Sequence, residues 1–220
     1  MKIAVIGSNR GIGLELVRQL VRAEHQVFAF CRQSSPALRE CAPAAIIEQF
    51  EVTDAAHMQR SVAALDLANL DWLFHVSGIL RPQGLSNFDP AAMVEQFTVN
   101  AIAPMLAAQV FTPYMTASSK IGLLTSRMGS MTDNTTGGSY GYRMSKAALN
   151  AAGKSLSLDL KSRGIAVFLL HPGYVKTDMT HQRGLIDTAE SARGLIALMA
   201  QKTAQQTGTF WHVNGEQLPW

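Results

Sequence analysis

The chain has 220 residues, 47% of them apolar and 16% charged, with 19 basic against 16 acidic side chains for a formal charge of +3. That length suits one α/β domain over residues 1–220, the composition is that of a soluble globular protein, and no apolar run is long enough to span a bilayer. The basic residues are scattered, which argues against a nucleic-acid partner, and Cys31 and Cys41 fall in no metal-ligand or disulfide spacing, so no metal is expected.

Lys2 to Ile6 is an apolar run of strand length that passes directly into Gly7-Ser8-Asn9-Arg10-Gly11-Ile12-Gly13. It reads as a first strand and not as a signal peptide, and a cytoplasmic protein is expected. A helix follows over Gly13 to Ala23, with apolar positions at Leu16, Val17 and Leu20. Glycines between a strand and a helix allow a tight reversal, close approach of backbone to a pyrophosphate, and phosphates facing the helix amino terminus. The alternative is a glycine-rich turn without a ligand.

The second run, Gln26 to Cys31, ends at Arg32 with no acidic residue. An acid there would bind the ribose hydroxyls of NAD and repel a 2′-phosphate. Arg32 instead offers a planar donor set suited to a phosphate, and Arg10 in the glycine loop a second charge, so NADP(H) is expected over NAD(H). Either arginine is otherwise a solubilising surface side chain.

A third run covers Ala45 to Phe50, followed by a helix-like segment through His57 to Asp66, which Asp54 is placed to cap. Trp72 to Val76 is the fourth run, Ala91 to Ser118 a long helix, and Ile121 to Thr125 the fifth run. Ser145 to Arg163 is helical, Ala166 to Leu170 the sixth run, Glu190 to Gln201 a last helix, and Thr209 to Val213 a seventh run. This alternation predicts a single-domain, Rossmann-type, doubly wound parallel sheet of about seven strands with helices on both faces. Ligands of such folds bind at the carboxyl ends of the strands, near the point where the strand order reverses.

Tyr142-Arg143-Met144-Ser145-Lys146 places a phenol and an ammonium four residues apart, on one face of a helix. A cation near a phenol lowers its pKa by roughly 1 to 3 units from about 10, which would suit an acid or base near neutral pH. Such a spacing also occurs on solvated helix faces. Tyr140 has Met144 at the same offset and lacks the ammonium. His75 and His171 have no Ser or Asp spacing around them and read as structural.

The Gly-x-x-x-Gly-x-Gly spacing at Gly7, Gly11 and Gly13, taken with Tyr142-x-x-x-Lys146, resembles the short-chain dehydrogenase/reductase family over essentially the whole chain. Further landmarks fall in the family's order: Asp54, Val76-Ser77-Gly78, Asn100, Thr125-Ser126 and Pro172-Gly173. Gly137 to Asn150, His171 to Met179, and the terminal Leu218-Pro219-Trp220 are similar to the C-factor/sniffer-like carbonyl reductase branch.

The resemblance implies an oxidoreductase that moves a hydride between NADP(H) and a ketone or aldehyde and its alcohol, both small molecules. It makes Ser126 the hydroxyl that polarises the carbonyl, with Ser130 and Thr125 as nearby alternatives, and Tyr142 the proton donor. It makes Lys146 the group that holds the nicotinamide ribose and depresses the phenol pKa, and Asn100 the residue that positions a water linking Lys146 to solvent. The cofactor would lie on Gly7, Asn9, Arg10, Gly11, Ile12 and Gly13, with Asp54 beside the adenine and Val76, Ser77 and Gly78 along the ribose. Pro172, Gly173, Val175 and Thr177 would flank the nicotinamide end, and Asp178 to Thr188 would form a short lid over an open pocket. Ile6 and Val76 stand where the family usually has Thr and Asn. Pairing through the two long helices, into a homodimer or homotetramer, is a further expectation, and an NADPH-binding regulatory protein with little turnover is the alternative function.

Overall fold

The structure, a computed structural model, describes Met1–Trp220. Seven strands form one parallel sheet: β1 (Lys2–Ile6), β2 (Gln26–Phe30), β3 (Ala45–Ile47), β4 (Leu70–His75), β5 (Met115–Leu124), β6 (Ala166–His171) and β7 (Thr209–His212). Their order is β3-β2-β1-β4-β5-β6-β7, and every neighbouring pair is parallel. The order reverses between β1 and β4, so the carboxyl ends of those strands open the crevice where this class of fold binds ligands.

Helices cover both faces, as the alternating pattern predicts. One face carries α1 (Gly11–Arg22) and α7 (Thr188–Gln201), packed on Val5, Trp72, Phe74 and Phe168. The other carries α3 (Ala55–Ala63), α4 (Pro90–Phe97), α5 (Ala103–Phe111) and α6 (Tyr140–Asp159), over a core that includes Phe30, Phe50 and Phe111 with ring centroids 4.8 to 6.5 Å apart. A short α2 (Pro36–Glu40), which periodicity does not reveal, follows β2, with the Ser35 side chain accepting from the Leu38 N–H. None of the helices is long and apolar enough to cross a membrane.

Several boundaries differ from the sequence reading, among them the start of α6, at Tyr140 in place of Ser145. The expected helix from Ala91 to Ser118 is divided: after α4 comes one π-helical turn, Thr98–Ile102, then α5, then a 3-10 turn, Thr112–Tyr114. Pro104 is the cause, since it has no N–H to give to the Asn100 carbonyl, and the Ala103 N–H bonds back to Thr98 O. Pro113 ends the helical stretch, and β5 begins at Met115, six residues before the expected Ile121. The expected strand from Ala45 to Phe50 stops at Ile47, because Gln49 has φ of +56°.

Lys120 in β5 shows how the face covered by α1 and α7 is closed. Its ammonium donates to the Met199 and Ala200 carbonyls at 2.5 and 3.3 Å, at the carboxyl end of α7, and lies 6.0 Å from the Trp72 ring centroid. Carbonyls at a helix end have no partner within the helix, and a cation there also meets the negative end of the dipole. Lys120→Met is expected to cost about 1 kcal/mol, or roughly 2–4 °C in Tm for a domain of this size, with cofactor affinity unchanged. A melting curve that does not move would remove this cap from the account.

Candidate active site

The glycine loop leaves β1 and enters α1 in a turn with no spare volume. Gly7 has φ of +89°, and a Cβ there would meet Ser77 Oγ at 2.7 Å and Ser77 N at 2.8 Å. A Cβ on Gly13 would stand 2.0 Å from Gly7 O. Arg10 precedes α1 without a side-chain cap, so the first amides of the helix are left for another acceptor. A tight cradle and uncapped amides at the switch point are what a pyrophosphate requires, so these residues fit a dinucleotide.

Neighbouring segments converge on this loop. Ser77 and Gly78 follow β4, whose exit is fixed by the Val76 N–H on Ile6 O at 2.9 Å. A Cβ on Gly11 would lie 3.7 Å from Thr177 Cγ2, which brings the segment after β6 over the loop. Arg10 and Asp178, both exposed, form an ion pair at 3.0 Å across the same gap. Ser35 Oγ donates to Asn9 O at 2.7 Å and ties in the turn after β2. Ile12 packs towards the α1–α7 core.

Arg32 stands exposed at the end of β2 and makes no ion pair. The Asp54 carboxylate accepts the His57 N–H at 2.8 Å and caps α3. At the other end of the crevice, Gly173 has φ of +85°, Pro172 O accepts from Ser191 Oγ at 2.7 Å, and Val175 O accepts from Thr180 Oγ1 at 2.6 Å.

Tyr142 and Lys146 lie one turn apart on the buried face of α6, 9% and 4% exposed. Ser126 is buried at the end of β5, where its hydroxyl accepts the Met128 N–H at 3.1 Å. Gly129 lets this turn rest on α6, since a Cβ there would lie 2.7 Å from the Lys146 carbonyl carbon. Lys146 Nζ donates to Leu124 O at 2.8 Å, and it and Asn100 Oδ1 lie within 3.6 Å of where a Gly78 Cβ would be. Lys146, Asn100 and Gly78 therefore meet at one wall, with Ser126 beside the Tyr142 phenol.

The electrostatics differ from the sequence reading. Burial pushes the Tyr142 phenol up to about 12, with the Ser126 hydroxyl pulling the other way, and burial lowers Lys146 to about 7. The ammonium is 5.9 Å from the Tyr142 ring centroid and is turned to Leu124 O, so removal from water outweighs its attraction for a phenolate. The phenol is therefore protonated at neutral pH, the state a proton donor needs.

The competing groups make contacts of their own. Thr125 Oγ1 donates to Asn150 Oδ1 at 2.7 Å, Ser130 Oγ accepts the Asp133 N–H at 3.1 Å, and Tyr140 packs edge-on against Phe88 with centroids 5.0 Å apart. His75 and His171 are held near 3, by burial first and then by Lys146 in one case and by His212 and Arg127 in the other, so neither is charged at neutral pH.

Asn100 is more heavily committed than its sequence position suggests. Its side chain accepts the Ile79 N–H at 2.8 Å and donates to Ile79 O at 2.8 Å and Ser145 Oγ at 3.0 Å, while Ser145 Oγ donates to Tyr142 O at 2.8 Å. Ser145 and Asn150 were not singled out from spacing; their only signal is a polar side chain on the inward face of a helix. Arg127, beside Ser126, was also missed. It joins Asp133 at 3.2 Å and Glu216 at 3.1 Å, which ties the carboxyl-terminal segment to the Ser126 turn.

The short chain dehydrogenase family profile matches residues 1–185. A 1-hydroxy-2-glutathionyl-2-methyl-3-butene dehydrogenase of Rhodococcus is 33% identical, the match covering 99% of each chain. C-signal of Myxococcus xanthus is 39% identical over 62% of this chain and 83% of its own length. Among solved structures, an NADPH-bound carbonyl reductase from chicken fatty liver superposes with a TM-score of 0.90 at 30% identity, covering 100% of this chain and 98% of that one. Carbonyl reductase Sniffer of D. melanogaster does so with a TM-score of 0.92 at 29% identity, covering 100% and 99%. Motifs, strand order and these likenesses agree: the chain belongs to the short-chain dehydrogenase/reductase family and is an oxidoreductase of the C-factor/sniffer-like type.

Proposed function

We propose that residues 1–220 form one domain that interconverts a ketone or aldehyde and its alcohol with NADP(H), using Ser126, Tyr142, Lys146 and Asn100. The observation that carries this reading is a buried, protonated Tyr142 one helical turn from a buried Lys146, on the wall beside the glycine cradle.

Bound NADPH supplies the hydride that reduces the carbonyl carbon. The chain does the rest. Ser126 Oγ donates a hydrogen bond to the carbonyl oxygen and polarises it. Tyr142 Oη gives its proton to that oxygen as the new C–H bond forms, so the product is the neutral alcohol. Lys146 then faces a phenolate, which favours its ammonium form and stabilises the anion left behind. The Asn100 side chain fixes the Gly78–Ile79 backbone against α6, and the widened turn around it is where a water would join Lys146 to solvent and return the proton.

Three features support NADP(H) over NAD(H): the absence of an acid at the end of β2, the unpaired Arg32 there, and the NADPH bound to the chicken relative. Arg32→Ala is expected to raise the Kd for NADPH about tenfold and to leave that for NADH within about twofold, as loss of one charge-assisted phosphate contact implies. An unchanged ratio of the two constants removes Arg32 from the site. Cytoplasmic location is consistent with two cysteines present as free thiols.

The test of the reaction is oxidation of NADPH against a panel of carbonyl compounds, with reduction of NADP by alcohols as the reverse assay. The alcohols of the reverse assay should include hydroxylated glutathione thioethers, since the Rhodococcus relative's name describes one. The likeness to C-signal favours a second reading, a nucleotide-binding signalling protein. NADPH binding without turnover on any member of the panel would support that reading against an enzyme.

A further inference from the structure

The turn after β2, Arg32 to Ser35, is held on both sides. On one side Ser35 Oγ donates to Asn9 O of the glycine loop at 2.7 Å. On the other, the Gln49 and Phe50 amides donate to Arg32 O and Cys31 O at 2.9 and 3.0 Å, which brings the residue just past β3, Glu48, against the turn. The Glu48 carboxylate accepts the Ser34 N–H at 2.8 Å, and Arg39 Nη2 stands 3.8 Å from it. The Ser34 hydroxyl is buried beside this carboxylate, and no other atom of the chain offers it a partner. The Ser34 N–H first, and the Ser34 hydroxyl and Arg39 with it, keep the Glu48 carboxyl below the usual range, so it is an anion at neutral pH.

A backbone N–H, a buried hydroxyl and a nearby guanidinium, that of Arg39, are donors that bind an oxyanion. Here the chain's own carboxylate takes the N–H. We infer that Glu48 is a specificity residue for the cofactor, an acid that opposes Arg32 by holding the Ser34 donors which a 2′-phosphate on the adenosine ribose would use. The inference rests on the NADP(H) reading above. A 2′-phosphate carries between one and two negative charges near neutral pH, so it must displace Glu48 or share the turn with it against like-charge repulsion. A 2′-hydroxyl meets no such opposition. Arg32 and Glu48 thus act in opposite directions on one phosphate, and the preference for NADP(H) is smaller than Arg32 alone would produce.

Adenosine 2′,5′-bisphosphate and 5′-AMP differ by that phosphate alone, and calorimetric titration of both isolates its contribution. Glu48→Gln keeps an oxygen for the Ser34 N–H and removes the charge. It is expected to lower the Kd for the bisphosphate about tenfold and to leave that for 5′-AMP within about twofold. Ser34→Ala removes the waiting hydroxyl and is expected to raise the bisphosphate Kd about fivefold, again without effect on 5′-AMP. A bisphosphate-to-AMP ratio that Glu48→Gln leaves unchanged, or one that moves only through 5′-AMP, overturns the inference. The cofactor reading fails separately: a wild type that binds 5′-AMP more tightly than the bisphosphate contradicts NADP(H), while a gain in Glu48→Gln would still establish the acid's role. If neither nucleotide binds any of the three proteins, both statements fall.

Discussion

Tyr142→Phe is expected to lower kcat for carbonyl reduction by about 10²- to 10⁴-fold, the usual contribution of a positioned general acid. Phenylalanine keeps the buried ring and removes only the hydroxyl, so Tm and the Kd for NADPH should stay close to wild type. The paired control is Tyr140→Phe, whose ring packs on Phe88 and whose hydroxyl has no ammonium one turn away; its rate should be unchanged. Turnover that survives Tyr142→Phe and fails in Tyr140→Phe would exchange the two roles.

The pH dependence of the two directions should differ, and the sign follows from burial. With the phenol at about 12, reduction finds its acid protonated across the neutral range. Alcohol oxidation needs the phenolate, whose population rises about tenfold per pH unit below that value. The logarithm of the oxidation rate should therefore climb with pH above neutrality. Bound substrate and cofactor alter the coupled Tyr142–Lys146 pair, so the midpoint belongs to the pair and the direction is the test.

Gly13→Ala is expected to have the second large effect, on cofactor binding and folding together. The added methyl would lie 2.0 Å from Gly7 O, and both partners are backbone, so no side chain can move aside. The overlap must be relieved by shifting α1 away from β1 and opening the cradle. Overpacking of this kind costs about 1–3 kcal/mol, and loss of the cradle should raise the Kd for NADPH more than about tenfold. Gly11→Ala is the informative comparison, because its nearest neighbour would be 3.7 Å away and only its φ of +57° is unfavourable. It should cost about 1 kcal/mol and weaken binding far less. Equal losses in both variants would show that conformation, and not the Gly7–Gly13 contact, is what the loop needs.

All seven strand-length runs in the sequence become strands of the sheet, and the glycine loop lies between β1 and α1 as its spacing implies. Two residue types resisted the same reasoning. Prolines inside an apolar-periodic segment do not interrupt the period, yet Pro104 removes one backbone donor and Pro113 ends the helical stretch, so the long helix breaks at Asn100 and β5 starts early. Asp54 satisfies two patterns equally in sequence, and its bond to the His57 N–H, which makes it the cap of α3, is seen only in the structure.

By itself the sequence determined the order of the elements, the parallel doubly wound sheet, the nucleotide end and the spacing of Tyr142 and Lys146, because each is carried by local periodicity or by residues a few positions apart. Only the tertiary structure decided the charge states and partnerships of the site. Whether Lys146 faces the phenol or Leu124 O, whether Asn100 is free or clamped between Ile79 and Ser145, and whether Glu48 reaches the Arg32 turn depend on segments brought together from distant parts of the chain. A pKa responds to burial and to every neighbour in space, and neither is encoded in a spacing of four residues.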